Sequence, residues 1–427
     1  MNSLSSVARE NIFSSPFDVS WFHKPVIRKL LDILQSEGAE VFAVGGCVRD
    51  TFWRKDVREI DLAINIEPQR VKDLVNKIDC KVLKAGLEYG TVAVILEGQK
   101  FEITSFRKDI KTFGRKAKVQ YTDDLKEDAK RRDFTFNAIY LTPNGLIIDP
   151  LGGFSDLRSG KVKFVGDANK RIDEDHLRIL RYFRFVSKFP SANKNPDQEI
   201  LDAIRIKRSL ILKLSRERIW NELKLILSSH SVTTAMFLMD QTGVLPILFP
   251  NANLDELKKM SNLEKLLEEI VQDSDKLKNL IFSDPIRRLA LLSAENDISN
   301  QVYISLGKQE MERLRFYKLK ARNLSEESYH MIGFKYNLQT SMDLLLWNMT
   351  KGKKYTSLEL KKNHISILRS CCEKMVEGSS AKFPLSGEDL LNRGYSGKKL
   401  GLTLKEMETV WIASGFSLSK SQLLEKI

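Results

Sequence analysis

VGGCVRDTFWRKDVREIDLAIN, residues 44–65, is the stretch from which this chain is best read. VFAV runs apolar into the pair Gly45-Gly46, where a strand turns into a helix. IDLAI then alternates, and on a strand residues two apart face the same side. Glu59 and Asp61 therefore present two carboxylates together. Two readings are open: hard oxygen ligands for a magnesium ion shared with substrate phosphate, or two acids on the wet face of a strand. Bare N–H groups at the Gly45-Gly46 turn suit a phosphate. Glu102, in the strand-like KFEITSF, stands ready as a third acid.

Around this stretch the first 165 residues mix two periodicities. TVAVIL and KFEITSF pair across GQ, and NAIYLT and LIIDP across PNG, while VIRKLLDILQSEG and PQRVKDLVNKI carry apolar residues at helical spacing. After about residue 170 strand signals stop. DEDHLRILRYFRFVSKF, SRERIWNELKLILSS, LDELKKMSNLEKLLEEIV and PIRRLALLSA are amphipathic helices, and FPSANKNPDQ reads as a loop. The expectation is a mixed α+β domain with a long helical tail, without internal repeats.

Composition narrows the function classes. The 427 residues carry 69 Lys+Arg against 56 Asp+Glu, a formal charge of +13, which points to a polyanionic partner such as nucleic acid. The four cysteines show neither a disulfide framework nor zinc spacing. No window approaches the run of about 18 apolar residues that a membrane span needs. The N-terminal residues lack a basic-then-apolar leader, so the expected location is cytoplasmic, with no membrane and no protein partner.

In order and spacing, GGCVRD, EID, FEITSFR, TDDLKEDAKRRDFTFNA, DPLGGFSDLRSG, EDHLRILR and SRERIWNEL resemble the class II tRNA nucleotidyltransferase and bacterial poly(A) polymerase family, from about Val41 to Leu223. The resemblance implies a polymerase-β-type nucleotidyltransferase head (20–165), then a helical neck (166–265), body (266–375) and tRNA-binding tail (376–427). The activity it implies is addition of C, C and A to the 3′ end of tRNA from CTP and ATP, releasing pyrophosphate, with two Mg2+ ions. The metal ligands fall on Glu59 and Asp61, with Glu102 the third catalytic acid. Gly45, Gly46 and Arg49 match the phosphate-binding turn, Arg132 and Asp133 the contacts to triphosphate and sugar, and Asn137 the ribose contact.

EDHLR, Glu174 to Arg178, resembles the nucleotide-selecting motif. Asp175 and Arg178 are three apart, which on one helix places them on one face. A carboxylate accepting from an exocyclic amine and a guanidinium donating to the adjacent ring nitrogen fit cytosine and adenine alike. Uracil and guanine would leave those groups mispaired.

Two positions depart from the family pattern. Glu59 stands where aspartate is usual, and Arg54-Lys55 where Gly-Arg is usual. A catalytically inactive RNA-binding homologue is therefore one alternative, and a poly(A) polymerase is another. KDIKTFGRKAKVQ, with Phe113, Gly114 and Arg115 at its centre, resembles the flexible loop of enzymes that switch from C to A. Cations for RNA phosphates are expected from KSQLLEKI, KGKKYTSLELKK, DPIRRLALL and MERLRFYKLKAR.

Overall fold

The structure is a computed structural model describing residues 12–54, 56–57, 59–83, 86–113, 116–189, 196–270, 283–292, 303–320, 329–351 and 362–427. The chain divides into two compact units, residues 1–222 with 238–244, and residues 223–237 with 245–427.

The first unit is built on an eight-stranded mixed sheet. Its strands are β1 (Ile12–Ser14), β2 (Val41–Val44), β3 (Ile60–Ile64), β4 (Lys81–Leu83), β5 (Thr91–Leu96), β6 (Gln99–Ser105), β9 (Tyr140–Leu141) and β10 (Leu146–Ile148). Their order is β1-β10-β9-β2-β3-β6-β5-β4. Only β3 and β6 run parallel; every other neighbouring pair is antiparallel. VFAV is buried throughout, as a central strand covered on both faces should be. β5 and β6 close on the two-residue turn Glu97-Gly98, both at positive φ, which matches the right-handed twist of paired strands.

Helices α1 (Pro25–Gln35) and α3 (Pro68–Val75) start on prolines, whose missing N–H costs nothing in the first turn. Ile27, Leu30, Leu31 and Leu34 of α1 are buried at helical spacing, each side chain worth roughly 1.5–3 kcal/mol of transfer free energy. Between β2 and β3 lies α2 (Gly46–Phe52), and α4 (Leu125–Lys130) leads into the RRDFTFNA turn.

Helix α5 (Gly153–Ser159) packs on that turn by close backbone approach. A Cβ on Gly153 would lie 2.1 Å from the Thr135 carbonyl oxygen, so no other residue fits without displacement. Asp149 caps the junction, accepting from the N–H groups of Gly153 and Phe154 at 2.8 and 2.9 Å. Below the turn, Phe134 and Phe136 stack and meet Phe185 edge-on, with Phe136 also against Phe189. That aromatic cluster seats α7 (Arg178–Lys188) behind the turn.

KDIKTFGRKAKVQ, likened above to a flexible loop, falls largely on two strands. Residues Arg107–Phe113 (β7) and Lys116–Tyr121 (β8) form a two-stranded antiparallel ribbon with an irregularity at Asp109/Lys111. KAKVQY alternates polar and apolar residues with the period of a strand, whereas RKDIKTF does not. Phe113 ends β7; Gly114 and Arg115 lie outside the described residues.

The second unit is helical, including helices at Leu254–Ile270, Pro285–Leu292, Lys308–Lys320, Leu338–Lys351 and Lys362–Ser380. Here a sequence expectation is overturned. Arg287 and Arg288 of DPIRRLALL are 0% and 1% exposed, so they do not offer charge to RNA phosphates. Arg287 donates to Glu264 at 2.8 Å and Asp343 at 3.0 Å, and Arg288 donates through Nε to Glu264 at 2.7 Å. Arg313 of MERLRFYKLKAR is likewise committed, to Asp284 and Asp343. Most of KGKKYTSLELKK, at 352–361, lies outside the described residues. The C-terminal residues fold around Trp411, Leu423 and Leu385, with capping boxes at Ser386/Asp389 and Ser419/Gln422.

Candidate active site

The parallel pairing of β3 with β6 sets Asp61 directly opposite Glu102. Glu59 precedes β3 on the same alternation, exposed, with Ile60 buried between the two acids. Asp61 sits deeper. Burial first, then the Glu102 carboxylate, push its carboxyl up to about 6; Arg132 opposes and Glu59 adds to the rise. Glu102 itself accepts from Lys100 at 2.6 Å.

The glycine turn faces the same carboxylate. Gly45 adopts φ +74°, where a side chain would be strained. A Cβ there would stand 3.8 Å from both an Arg132 nitrogen and Asp61 Oδ2, and one on Gly46 would stand 3.6 Å from Arg49. Gly45, Gly46, Arg49, Arg132 and Asp61 thus border one small space.

Around it runs a chain of charge-assisted hydrogen bonds. Arg49, 8% exposed, donates to Asp50 and, at 2.9 Å, to Asn137 Oδ1. Asn137 donates in turn to Asp133 at 2.9 Å, and Asp133 accepts from Arg181 at 2.7 Å through Nε. Burial alone would raise the Asp133 carboxyl, but Arg181 and the Asn137 hydrogen bond hold it well below the usual carboxylate range. Arg132 is braced by Asp128 at 3.0 Å and by the Tyr140 hydroxyl at 3.2 Å.

Asp128 is the anchor of this corner. It is wholly buried and accepts from Arg131, Arg132 and Tyr140. Burial pushes its carboxyl up, yet the two guanidinium charges and the Tyr140 hydroxyl outweigh that and leave it at about 2. A folded-state value below the unfolded one gives stability that is present above about pH 4 and is lost as pH falls towards 2. Asp128→Asn should therefore cost roughly 2 kcal/mol or more at pH 7, with the gap to the parent chain shrinking below pH 4. Urea unfolding at pH 7, 4 and 3 reads this directly; a gap that does not change with pH would refute it.

EDHLR does not form one helical face. Helix α6 (Ala168–Glu174) ends at Asp175, whose backbone is extended (φ −149°, ψ 108°), and α7 starts at Arg178. Asp175 receives Arg218 on both carboxylate oxygens, at 3.1 and 2.9 Å. Glu174 and Arg178 pair with one another, and Arg171 joins them. The spacing of three held, but a turn rather than a helix spans it. Aspartate at a helix C-terminus gains nothing from the dipole, and its side chain accepts the Leu177 N–H instead.

Arg181, Arg218, Asp128 and Arg171 were not anticipated from the sequence. Arg181 follows Arg178 by three on α7, a spacing that marks one helical face; Asp128 and Arg218 lie within the quoted stretches TDDLKEDAKRRDFTFNA and SRERIWNEL without being singled out, and Arg171 lies outside them.

A divalent cation fits this donor set: hard carboxylate oxygens, an Asp61 pushed up by burial and by the Glu102 carboxylate, and glycines beside its Oδ2. Among the described residues no three His, Cys, Asp or Glu side chains stand gathered as a finished metal site.

A mixed sheet carrying paired acids beside a glycine turn, with helices behind, is the build of a nucleotidyltransferase head. Residues 41–163 match the family described as poly A polymerase head domain, and residues 195–255 the one described as probable RNA and SrmB-binding site of polymerase A. The mouse mitochondrial CCA tRNA nucleotidyltransferase 1 is 31% identical over 413 residues, covering 94% of this chain and 89% of the relative. The CCA-adding enzyme of Ligilactobacillus salivarius is 28% identical, covering 93% and 94%. In fold, the Thermotoga maritima CCA-adding enzyme, solved with tRNA, superposes with a TM-score of 0.64 at 20% identity, over 97% and 98% of the two chains. The chain belongs to the CCA tRNA nucleotidyltransferase family, a family of enzymes that use divalent metal. Among the described residues no helix is long and apolar enough to cross a membrane.

Proposed function

We propose that this chain adds C, C and A to the 3′ end of tRNA, using CTP and ATP and releasing pyrophosphate. The observation that carries the reading is the meeting of Asp61 with Glu102 across β3 and β6, bordered by Gly45, Gly46 and Arg132. Two Mg2+ ions held by Glu59 and Asp61 would activate the tRNA 3′-hydroxyl and neutralise the pyrophosphate leaving group. Glu102, paired opposite Asp61, would accept the proton that the 3′-hydroxyl releases as its oxygen bonds to the α-phosphorus and the bond to pyrophosphate breaks. Arg132, rigid between Asp128 and Tyr140, points its remaining donors to the triphosphate, and Asn137, oriented by Asp133 and Arg49, meets the ribose. Asp175 and Arg178 choose the base, which requires each to exchange its present partner for the nucleotide. The domain limits we assign are head 20–165, neck 166–265, body 266–375 and tail 376–427, with tRNA along the helical part. We assign a cytoplasmic site of action; the mouse relative is mitochondrial, and fractionation of a tagged chain separates the two.

The head family's description favours one second reading, a poly(A) polymerase. Incorporation from CTP and ATP, singly and together, on a tRNA transcript lacking CCA, with and without Mg2+, decides. Two C residues and one A, then a stop, is the expected product. Long A tails from ATP alone would transfer the chain to the second reading. Binding of tRNA without incorporation would leave a site whose chemistry is lost.

A further inference from the structure

Arg171 lies on α6, outside every motif that points to the site, and is 7% exposed. Its guanidinium reaches two ways. Nη2 donates to the carbonyl oxygens of both Arg131, at 2.6 Å, and Arg132. Nη1 donates to Glu174 Oε2, the oxygen that also accepts from Arg178. Arg178 Nη1 closes the loop on the Arg171 carbonyl at 2.8 Å.

We infer that Arg171 is a positioning residue for nucleotide choice, bolting the turn that carries Asp175 and Arg178 to the main chain of Arg131-Arg132. The inference rests on the proposed roles of Asp175 and Arg178 in reading the base and of Arg132 in holding the triphosphate. Three features carry it. The anchor is rigid, because the side chains of Arg131 and Arg132 are both held by buried Asp128. The link is specific to arginine: a planar fork can serve two carbonyls and a carboxylate together, whereas an ammonium is a point charge on a flexible stem. And Arg171 is a poor choice for stability alone, since its Nε is buried without a hydrogen-bond partner. A side chain that only filled space there would better be apolar. What the guanidinium supplies is a fixed distance between the triphosphate side and the base-reading side.

The test uses the full chain and four variants, Arg171→Lys, Arg171→Met, Glu174→Gln and Asp175→Ala. kcat/KM is measured for CTP, ATP, UTP and GTP on a tRNA transcript lacking CCA, beside the KM for that transcript and the urea midpoint. Arg171→Lys and Glu174→Gln are expected to lower the preference for CTP and ATP over UTP and GTP by about tenfold or more, the scale of misplacing a reacting group. The KM for the transcript should stay unchanged, which a general loss of structure would not spare. A folded Arg171→Lys chain that discriminates as well as the parent overturns the inference. If both Arg171 variants fail to fold, Glu174→Gln decides alone, its side chain being 31% exposed. Asp175→Ala separates the two levels. Unchanged discrimination there removes the base-reading role itself and the inference with it, whereas lost discrimination there with none lost in Arg171→Lys removes only the bolt.

Discussion

Asp61→Asn should lower nucleotide incorporation roughly a thousandfold or more while leaving the urea midpoint within about 1 kcal/mol of the parent. The asparagine amide has nearly the carboxylate's shape, so packing around β3 is kept. It lacks the negative charge on which cation binding depends, and its NH2 would face Arg132 and the position of the metal. The carboxylate is also under electrostatic pressure: burial and Glu102 push it up to about 6, so removing its charge relieves the fold rather than straining it. Loss of turnover without loss of stability is the signature of a group held for chemistry. Mn2+ binding read by electron paramagnetic resonance gives a second measure, independent of turnover, and should weaken in the same variant. An Asp61→Asn chain that extends tRNA within tenfold of the parent rate would remove Asp61 from the reaction. Glu59→Gln should fall in the same direction. Glu59→Asp, which shortens the side chain to the residue usual in the family, should bind Mn2+ at least as tightly as the parent.

Arg287→Ala should destabilise the second unit by roughly 3–5 kcal/mol. Its guanidinium is fully buried between Glu264 and Asp343, and its removal leaves two buried carboxylates one cation short, with Arg288 on Glu264 and Arg313 on Asp343. Burial pushes Glu264 up even with both arginines present, so it has little room to remain ionised without one of them. The contrast is the Lys420–Asp389 pair, whose lysine is half exposed; Lys420→Ala should cost about 1 kcal/mol or less. Urea unfolding of both variants checks the difference. tRNA affinity gives the functional half of the same prediction: where Arg287→Ala remains folded, it should bind tRNA as the parent does, because the side chain never reaches solvent. A selective loss of tRNA affinity in a folded variant would restore Arg287 to the RNA surface.

That pair of arginines shows where reading residues in order fails. In PIRRLALL, two adjacent arginines on an amphipathic helix look like a solvated, RNA-facing edge, because charged side chains are rarely buried. Their partners, Glu264 and Asp343, are 23 and 56 residues from Arg287 along the chain, and no local pattern announces them. The ribbon β7–β8 was missed for a different reason. RKDIKTF spaces its apolar residues three apart and only KAKVQY alternates polar with apolar, so the period of two marked one strand of the pair and not the other.

The sheet and the acids were legible because their signals are local. The runs VFAV and IDLAI are buried central strands, PNG and the Gly98 turn close hairpins, and a period of two puts Glu59 and Asp61 on one side whatever else the chain does. The motif set pointed to the family with equal directness. Three things depended on tertiary structure. The parallel crossover that brings Glu102 beside Asp61 joins strands some forty residues apart in sequence. The break of EDHLR at Asp175 is tied to Arg218, from a different helix, so helical spacing named the right residues and the wrong geometry. Arg171 gains its place only because the carbonyls of Arg131 and Arg132 fold back against α6. Side-chain periodicity is a property of neighbouring residues, but the pairing of buried charges is settled by which distant elements leave them no water to turn to.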